Sequence, residues 1–243
     1  MRLNQSQPIS KLVKNFHIQK LNNDLPIQEK QHQPIFNKQE LWILFLKEFK
    51  FMYGVNFIKS DENINNIKIL FCYFLRDNEF FNCNNLISSL SNPTFKKGLL
   101  VLGGYGIGKT AYFKVFEKIF NDSRCLRFKR YGAKELVSKY EACITPFDKS
   151  YMMDKIARPR LFIDDINSER IASNYGSCDV IEEILFNQNE NNHITYVTCN
   201  HTNSESSVDK TLCDLGIRYG GRLHDRFFEM FNIVEFKGRS LRR

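Results

Sequence analysis

The sequence has 243 residues and a mass of 28.7 kDa, and its 42% hydrophobic and 14% aromatic content predicts one folded α/β domain with a smaller additional region. No apolar run reaches the ~18–20 residues of a transmembrane helix, and the seven cysteines have neither C-x-x-C spacing nor a nearby histidine at zinc-ligand spacing, which excludes a membrane-spanning, disulfide-rich or zinc-binding protein. The net charge of +8 lies at the two ends of the chain: residues 1–60 carry nine Lys and Arg against four Asp and Glu, and residues 217–243 carry seven against three. Such basic ends are expected if they contact nucleic acid, or if they are merely a solvated surface.

The chain begins with a polar segment. Residues 1–37 contain three prolines and many Asn and Gln, which predicts a weakly ordered tail. Its opening, "MRLNQSQPIS", lacks the apolar stretch of a signal peptide. Because scattered, unpaired cysteines are typical of a reducing compartment, we expect a cytoplasmic protein that associates with no membrane.

Two helices are predicted next, in an N-terminal helical region that we place at residues 38–92. The segments "KQELWILFLKEFKFMYG" and "ENINNIKILFCYFLRDN" (62–78) have apolar side chains at helical spacing. Their dense Phe, Leu and Ile content favours packing in a core over an exposed partner-binding stripe. The sequence leaves open whether these helices form a small module with its own partner or pack onto the domain that follows.

A phosphate-binding loop is predicted at residues 103–110. The stretch "GGYGIGKT" has the spacing G-x-x-x-x-G-K-[ST], whose glycines allow a tight turn with backbone N–H groups aimed at phosphate oxygens. Lys109 would reach the β- and γ-phosphates, and the Thr110 hydroxyl would bind Mg²⁺. The apolar run "GLLVL" predicts a buried strand before the loop, and "KTAYFKVFEKIF" (109–120) predicts a helix whose N-terminus faces the anion. We assign nucleotide binding to the whole loop: Gly103, Gly104, Tyr105, Gly106, Ile107, Gly108, Lys109 and Thr110.

Strands and helices alternate after this helix, as a parallel sheet with crossover helices requires. The predicted strands cover residues 124–131, 160–166, 193–200 and 232–236. The predicted helices cover residues 133–142, 177–191 and 216–230, the last of them straight or bent. We place this nucleotide domain at residues 93–243.

An apolar strand that ends in two carboxylates, "LFIDD" (161–165), follows the P-loop. P-loop NTPases need an acid at such a strand end to hold the Mg²⁺ that the threonine hydroxyl also touches. We therefore assign Asp164 to the metal site and place Asp165 where it polarises the attacking water.

Two further features complete the candidate catalytic set. Asn200 ends the predicted strand "YVTCN", where its amide could hydrogen-bond the γ-phosphate or the attacking water. Arg222 and Arg226 lie four residues apart on one face of the last helix, so either could reach the γ-phosphate of a neighbouring subunit if that face points outward. The alternative is a pair of surface cations bound to nearby acids or solvent.

The P-loop, "LFIDDINSE", "YVTCN" and the ending "GRLHDRFFEMFNIVEFKGRSLRR" together resemble the AAA+ ATPases of the DnaC/DnaI helicase-loader group, which also contains the IstB-type transposition helper ATPases. The resemblance covers roughly residues 95–243. It implies an α/β P-loop NTPase of the AAA+ type, with a parallel sheet flanked by helices, no C-terminal lid and a small helical N-terminal region. Two departures are visible: Asn167 stands where the family usually has glycine, and Asp165 replaces the longer Glu of many members, which would slow hydrolysis.

The resemblance also implies a function: Mg²⁺-dependent ATP hydrolysis that is slow and depends on self-association on DNA or on the partner. The leading interpretation is a DNA replication factor that delivers a hexameric replicative helicase to single-stranded DNA. A transposition helper that coats duplex DNA and a nucleotide-dependent binding switch with negligible turnover stay open, because discrimination lies in residues 1–95. By resemblance the catalytic residues are Asp165, Asn200, Arg222 and Arg226, and the metal residues are Thr110 and Asp164.

Overall fold

The computed structural model describes residues 36–174 and 176–242. The chain divides after Pro34, and the described residues lie in the second unit, Ile35–Arg243. The polar tail predicted at residues 1–37 lies almost wholly outside the described residues.

The second unit begins with two helices, α1 (Lys38–Tyr53) and α2 (Asp61–Phe74), followed by a 3₁₀ helix at Asn78–Asn82. The Asn37 side chain accepts a hydrogen bond from the first turn of α1, and Gly54 ends this helix in the left-handed conformation that glycine adopts without strain. Both predicted helices are confirmed.

Five strands form one parallel sheet in the order β2-β3-β6-β1-β7. These strands are β1 (Gly98–Gly103), β2 (Lys129–Gly132), β3 (Arg160–Ile166), β6 (Ile194–Asn200) and β7 (Phe231–Phe236). Two short strands, β4 (Ala172–Ser173) and β5 (Ser177–Cys178), pair antiparallel as a separate ribbon.

Helices cover both faces of the sheet. They are α3 (Lys109–Ile119), α4 (Ala133–Glu141), α5 (Pro146–Ile156), α6 (Val180–Glu190), α7 (Val208–Tyr219) and α8 (Gly221–Met230). Along β1, Leu99 and Val101 enter a core with α1, α2 and α3, whereas Leu100 and Leu102 enter the core on the opposite face. This alternation is the period-two pattern of a strand buried on both sides.

An aromatic cluster joins the N-terminal helices to α3. The Phe116 ring on α3 lies 5.5 Å from the rings of Phe45 and Phe71, and 4.8 Å from that of Phe74. Such ring pairs bury large apolar areas and contribute beyond simple burial. Of the two alternatives left open by the sequence, α1 and α2 therefore pack onto the nucleotide domain.

The predicted fold class is confirmed: this is a P-loop parallel sheet flanked by helices. Among residues 237–242, no helix follows β7. Several boundaries differ from the predictions. β2 is shorter than the strand predicted at 124–131, and α5 was not predicted. The segment predicted as a straight or bent helix at 216–230 contains the end of α7 and all of α8, which are separated at Gly220, where φ is +85°. No helix in the described part of the chain is long and apolar enough to cross a membrane.

Candidate nucleotide-binding site

The loop from β1 to α3 has a backbone that requires glycine. Gly108 precedes α3 with φ +95°, and a Cβ atom there would lie 2.5 Å from the ring of Tyr112. Gly106 has φ +75°, and its carbonyl oxygen accepts a hydrogen bond of 2.9 Å from the Leu241 N–H. The N-terminus of α3 therefore opens towards the loop, with its first N–H groups available to an anion.

Lys109 lies at the centre of the site. Its Nζ donates to the carbonyl oxygens of Gly103 and Gly104, each at 2.7 Å, and to Asn200 Oδ1 at 2.9 Å. The residue is only 7% exposed, and burial lowers the pKa of its ammonium group from 10.5 to about 8. A triphosphate would restore the charged form, since an anion beside an ammonium favours protonation.

Asp164 is buried at the end of β3 and has a full set of partners. Its Oδ1 accepts hydrogen bonds from the hydroxyls of Thr110 and Thr198, both at 2.8 Å. Its Oδ2 faces the Arg130 guanidinium at 3.4 Å. The structure thus places the two predicted metal residues, Thr110 and Asp164, in direct contact.

This donor set fits Mg²⁺ bound together with a nucleotide. Mg²⁺ prefers oxygen ligands and usually takes one or two protein groups, while substrate phosphates and water supply the rest. Within residues 36–174 and 176–242, no group of three or more His, Cys, Asp and Glu could hold a metal by itself. Thr110 and Asp164 therefore suit a cation that arrives with phosphate rather than a permanent metal centre.

Asp165 occupies a strained turn. It has φ +61° and Asn167 has φ +64°, in a bulge where the pairing of β3 with β6 shifts between Ile163 and Ile166. Three contacts hold the residue: its N–H donates to Thr198 Oγ1 at 2.9 Å, its carbonyl accepts from Ser168 Oγ, and the Asn200 side-chain amide donates to its carboxylate. Asn200 therefore bridges the Asp165 carboxylate and the P-loop lysine.

A buried hydrogen-bond network supports this bulge. The Tyr219 hydroxyl accepts from the Asn167 N–H at 2.8 Å and donates to Glu169 Oε1 at 2.6 Å. Arg218 pairs with Glu169 at 3.4 Å and also with Asp179. Glu169, the last residue of "LFIDDINSE", is thus a structural support that links the bulge to the end of α7.

The loop borders a cavity of about 670 Å³. Part of its lining is polar and consists of the P-loop, Asp164, Asp165 and Asn200. The rest comes from the end of α1, the α1–α2 connection and the C-terminal segment, with lining residues Phe49, Tyr53, Val55, Asn56, Phe57, Ile58, Leu241 and Arg242. Tyr105 also lines the cavity and is exposed. A cavity lined by cationic and hydroxyl groups and by apolar side chains can take a phosphate chain and a flat ring together.

The two candidate arginines lie elsewhere. Neither Arg222 nor Arg226 lines the cavity. Arg222 is exposed, and the Arg226 guanidinium lies over the Phe186 ring at 4.4 Å. Arg226 NH1 is buried without a hydrogen-bond partner among the described residues.

Sequence reasoning missed four contributors to the site. These are the α1–α2 connection, Lys114, Arg130 and Arg242. Lys114 on α3 and Arg242 near the end belong to no recognisable motif. Arg130 reaches Asp164 only because β2 and β3 are paired. The apolar "GVNFI" stretch after α1 was the only available signal.

Solved structures share this fold. The chain aligns with the crystal structure of the DnaC helicase loader at 21% identity and a TM-score of 0.51, covering 77% of this chain and 99% of that one. It aligns with the crystal structure of DnaI at 20% identity and a TM-score of 0.50, covering 78% of this chain and 89% of that one. No protein-family model matches the sequence, and no curated protein matches it. The chain therefore shares its fold with these two structures.

Proposed function

We propose that this protein binds ATP, hydrolyses it with Mg²⁺, and acts as a replication factor that delivers a hexameric helicase to single-stranded DNA. One observation carries the ATPase part of the proposal. Lys109, Thr110, Asp164, Asp165 and Asn200 form two hydrogen-bonded groups at one edge of the sheet, on the wall of one cavity. These are the residue types that a P-loop ATPase needs, at the carboxyl ends of adjacent parallel strands.

The P-loop side of the site binds and orients the phosphates. Lys109 would exchange its carbonyl contacts at Gly103 and Gly104 for phosphate oxygens, and the N-terminus of α3 would face the same charge. Thr110 and Asp164 would hold Mg²⁺, which supplies charge neutralisation to the phosphoryl group.

The other side of the site orients the attacking water. Asp165 would accept a proton from that water, since its carboxylate lies on the cavity wall and its backbone is fixed by the bulge. Asn200 contacts both Lys109 and Asp165, so its amide would hold the γ-phosphate and water at the correct separation. The apolar side chains of Phe57 and Ile58 on the cavity wall would receive the base.

The arginines fit a role in a neighbouring subunit. Both lie outside the cavity, and Arg222 is exposed on α8. An exposed guanidinium could reach the γ-phosphate of a second copy, where it would stabilise the charge of the transition state. Hydrolysis would then depend on self-association, on DNA or on the helicase.

An exposed aromatic pair supports contact with single-stranded DNA. Phe147 and Tyr151 on α5 are 77% and 52% exposed, and their rings are nearly parallel with centroids 6.4 Å apart. Lys155 Nζ lies 4.3 Å from the centre of the Tyr151 ring. Unpaired bases stack on such rings, and each stacked base contributes roughly 1–3 kcal/mol.

The helicase partner is inferred from the fold shared with DnaC, whose structure is that of a helicase loader. Exposed apolar side chains on α1, among them Ile43 and Phe51, offer a surface to such a partner. Pull-down from the host with the full chain, and with a variant lacking residues 1–34, tests this step. Recovery of a transposase instead of a helicase would favour the transposition-helper function.

ATP binding and hydrolysis are tested with Lys109→Ala and the matched control Lys118→Ala, which removes an exposed lysine from the same helix. We expect calorimetry to show no ATP binding for the first variant and wild-type binding for the second. Unchanged affinity in Lys109→Ala would show that the P-loop assignment is wrong.

DNA binding is tested with Phe147→Ala, and Phe51→Ala provides a control because this ring is 80% exposed on α1. We expect the first variant to lose roughly tenfold in affinity for single strands, since a stacking platform is removed. Wild-type affinity for single strands should fall with salt, with a log–log slope of about 0.7 for each phosphate contact. Equal losses in both variants, or clear preference for duplex, would contradict the single-strand assignment.

A further inference from the structure

The guanidinium of Arg130 faces the carboxylate of Asp164, the residue that we assign to the Mg²⁺ site. Arg130 NH1 lies 3.4 Å from Asp164 Oδ2, and the two side chains are 26% and 9% exposed. The other carboxylate oxygen of Asp164 already accepts two hydroxyl groups. Oδ2 is therefore the oxygen of Asp164 that is left for a cation, and the guanidinium holds it.

The strand pairing places Arg130 on the P-loop side of the sheet. Arg130 lies opposite Phe162 in the register of β2 and β3, and the Phe162 ring stacks on Phe113 of α3 at 4.4 Å. The Arg130 N–H donates to Glu117 Oε1, also on α3, at 2.9 Å. The backbone hydrogen bond thus ties β2, and the ring stack ties β3, to the helix that begins with the P-loop lysine.

We propose that Arg130 is a positioning residue that competes with Mg²⁺ for Asp164, so that it sets how strongly Mg²⁺ promotes ATP binding. This inference depends on the proposed ATPase function. Two cations that need one carboxylate oxygen exclude each other, and their repulsion is weakly screened because the pair is mostly buried. Mg²⁺ must displace the guanidinium before Asp164 can support it, and this displacement lowers the gain in ATP affinity.

The charge-removing variant is Arg130→Gln, which keeps a planar polar end. We expect its ATP affinity in Mg²⁺ to rise roughly tenfold, while its affinity in EDTA stays within about twofold of wild type. Arg130→Lys keeps the charge and should stay close to wild type. Lys129→Gln is the matched control, because it removes one charge from the adjacent, exposed position on the same strand.

Calorimetric titration of each variant with ATP, once in Mg²⁺ and once in EDTA, measures these affinities. Unfolding temperatures without ligand show whether each variant is folded, and Arg130→Ala, which also removes the charge, replaces the glutamine variant in the same two titrations if that variant is not. Failure of the wild type to bind ATP in either condition would overturn the proposed function and this inference with it. Wild-type binding without a rise in Arg130→Gln, or with an equal rise in Lys129→Gln, would overturn the inference alone. An equal fall in the ATP affinity of Arg130→Gln in Mg²⁺ and in EDTA would also overturn the inference, because it would mean that Arg130 contacts phosphate directly.

Discussion

Burial of the P-loop lysine makes the free protein less stable in a way that depends on pH. The pKa of Lys109 is lowered by burial from 10.5 to about 8. Below pH 8 the lysine is charged in both the folded and the unfolded state, so folding bears the full cost of burying the charge. Above pH 8 the folded state releases the proton first, and the cost decreases as the pH rises towards the unfolded value.

Replacement by methionine, Lys109→Met, removes this charge with little change in side-chain length. From the two pKa values, the burial cost is about 3 kcal/mol at pH 7 and falls by about 1 kcal/mol between pH 7 and pH 9. The three hydrogen bonds of Nζ are also lost in the variant, which lowers its stability by an amount that changes little with pH. Wild type should therefore gain about 1 kcal/mol of stability relative to Lys109→Met over this range.

Urea unfolding of both proteins at pH 7, 8 and 9, without nucleotide, measures this difference. Lys118→Met is the control, because Lys118 lies exposed in the last turn of the same helix. Its stability difference from wild type should be the same at all three pH values. A constant difference for Lys109→Met as well would refute the link between burial and the lysine proton.

Three further predictions concern the proposed reaction. ATP affinity should fall about fivefold between pH 8 and pH 9, because binding must then return a proton to Lys109, and calorimetry in two buffers should detect that uptake; a flat affinity would contradict this. Asp165→Asn should slow hydrolysis by a factor of roughly 10²–10⁴ and leave ATP binding unchanged. Asp164→Asn should weaken the Mg²⁺ dependence of ATP binding. Equal, mild effects of the two variants would mean that the acid pair is wrongly assigned. Lys109→Ala subunits mixed with Arg222→Ala or Arg226→Ala subunits should regain part of the ATPase activity, because one subunit keeps an intact P-loop and the other supplies the arginine, which contributes about 10³–10⁵ in rate. No recovery, together with an active wild-type monomer, would mean that the arginines act within their own subunit.

The sequence could predict those parts of the site that local chemistry determines. The P-loop requires glycine and lysine at fixed spacing, and Leu161, Phe162 and Ile163 are apolar directly before two acids, so the strand was predicted with the bounds that the structure has, Arg160–Ile166. Asn200 followed from the same reasoning, because parallel strands end at one edge of the sheet.

The rest depends on contacts between distant segments. Arg130 faces Asp164 through the pairing of β2 with β3, and the α1–α2 connection reaches the cavity only through the aromatic packing of α1 on α3. Helix α5 was missed because its apolar residues do not form a clear stripe, and the break between α7 and α8 depends on the backbone of Gly220. Such features have no periodicity to reveal them.

The aromatic cluster between α1 and α3 also constrains how this protein can vary between lineages. Substitutions of Phe45 or Phe49 disturb rings packed on Tyr112 of the P-loop helix, so selection on nucleotide use acts on α1 as well. Exposed positions of α1 such as Ile43 and Phe51 are free of that constraint. We expect related sequences to diverge on the exposed side of α1, where a new partner can be accommodated, and to retain large rings on the buried side.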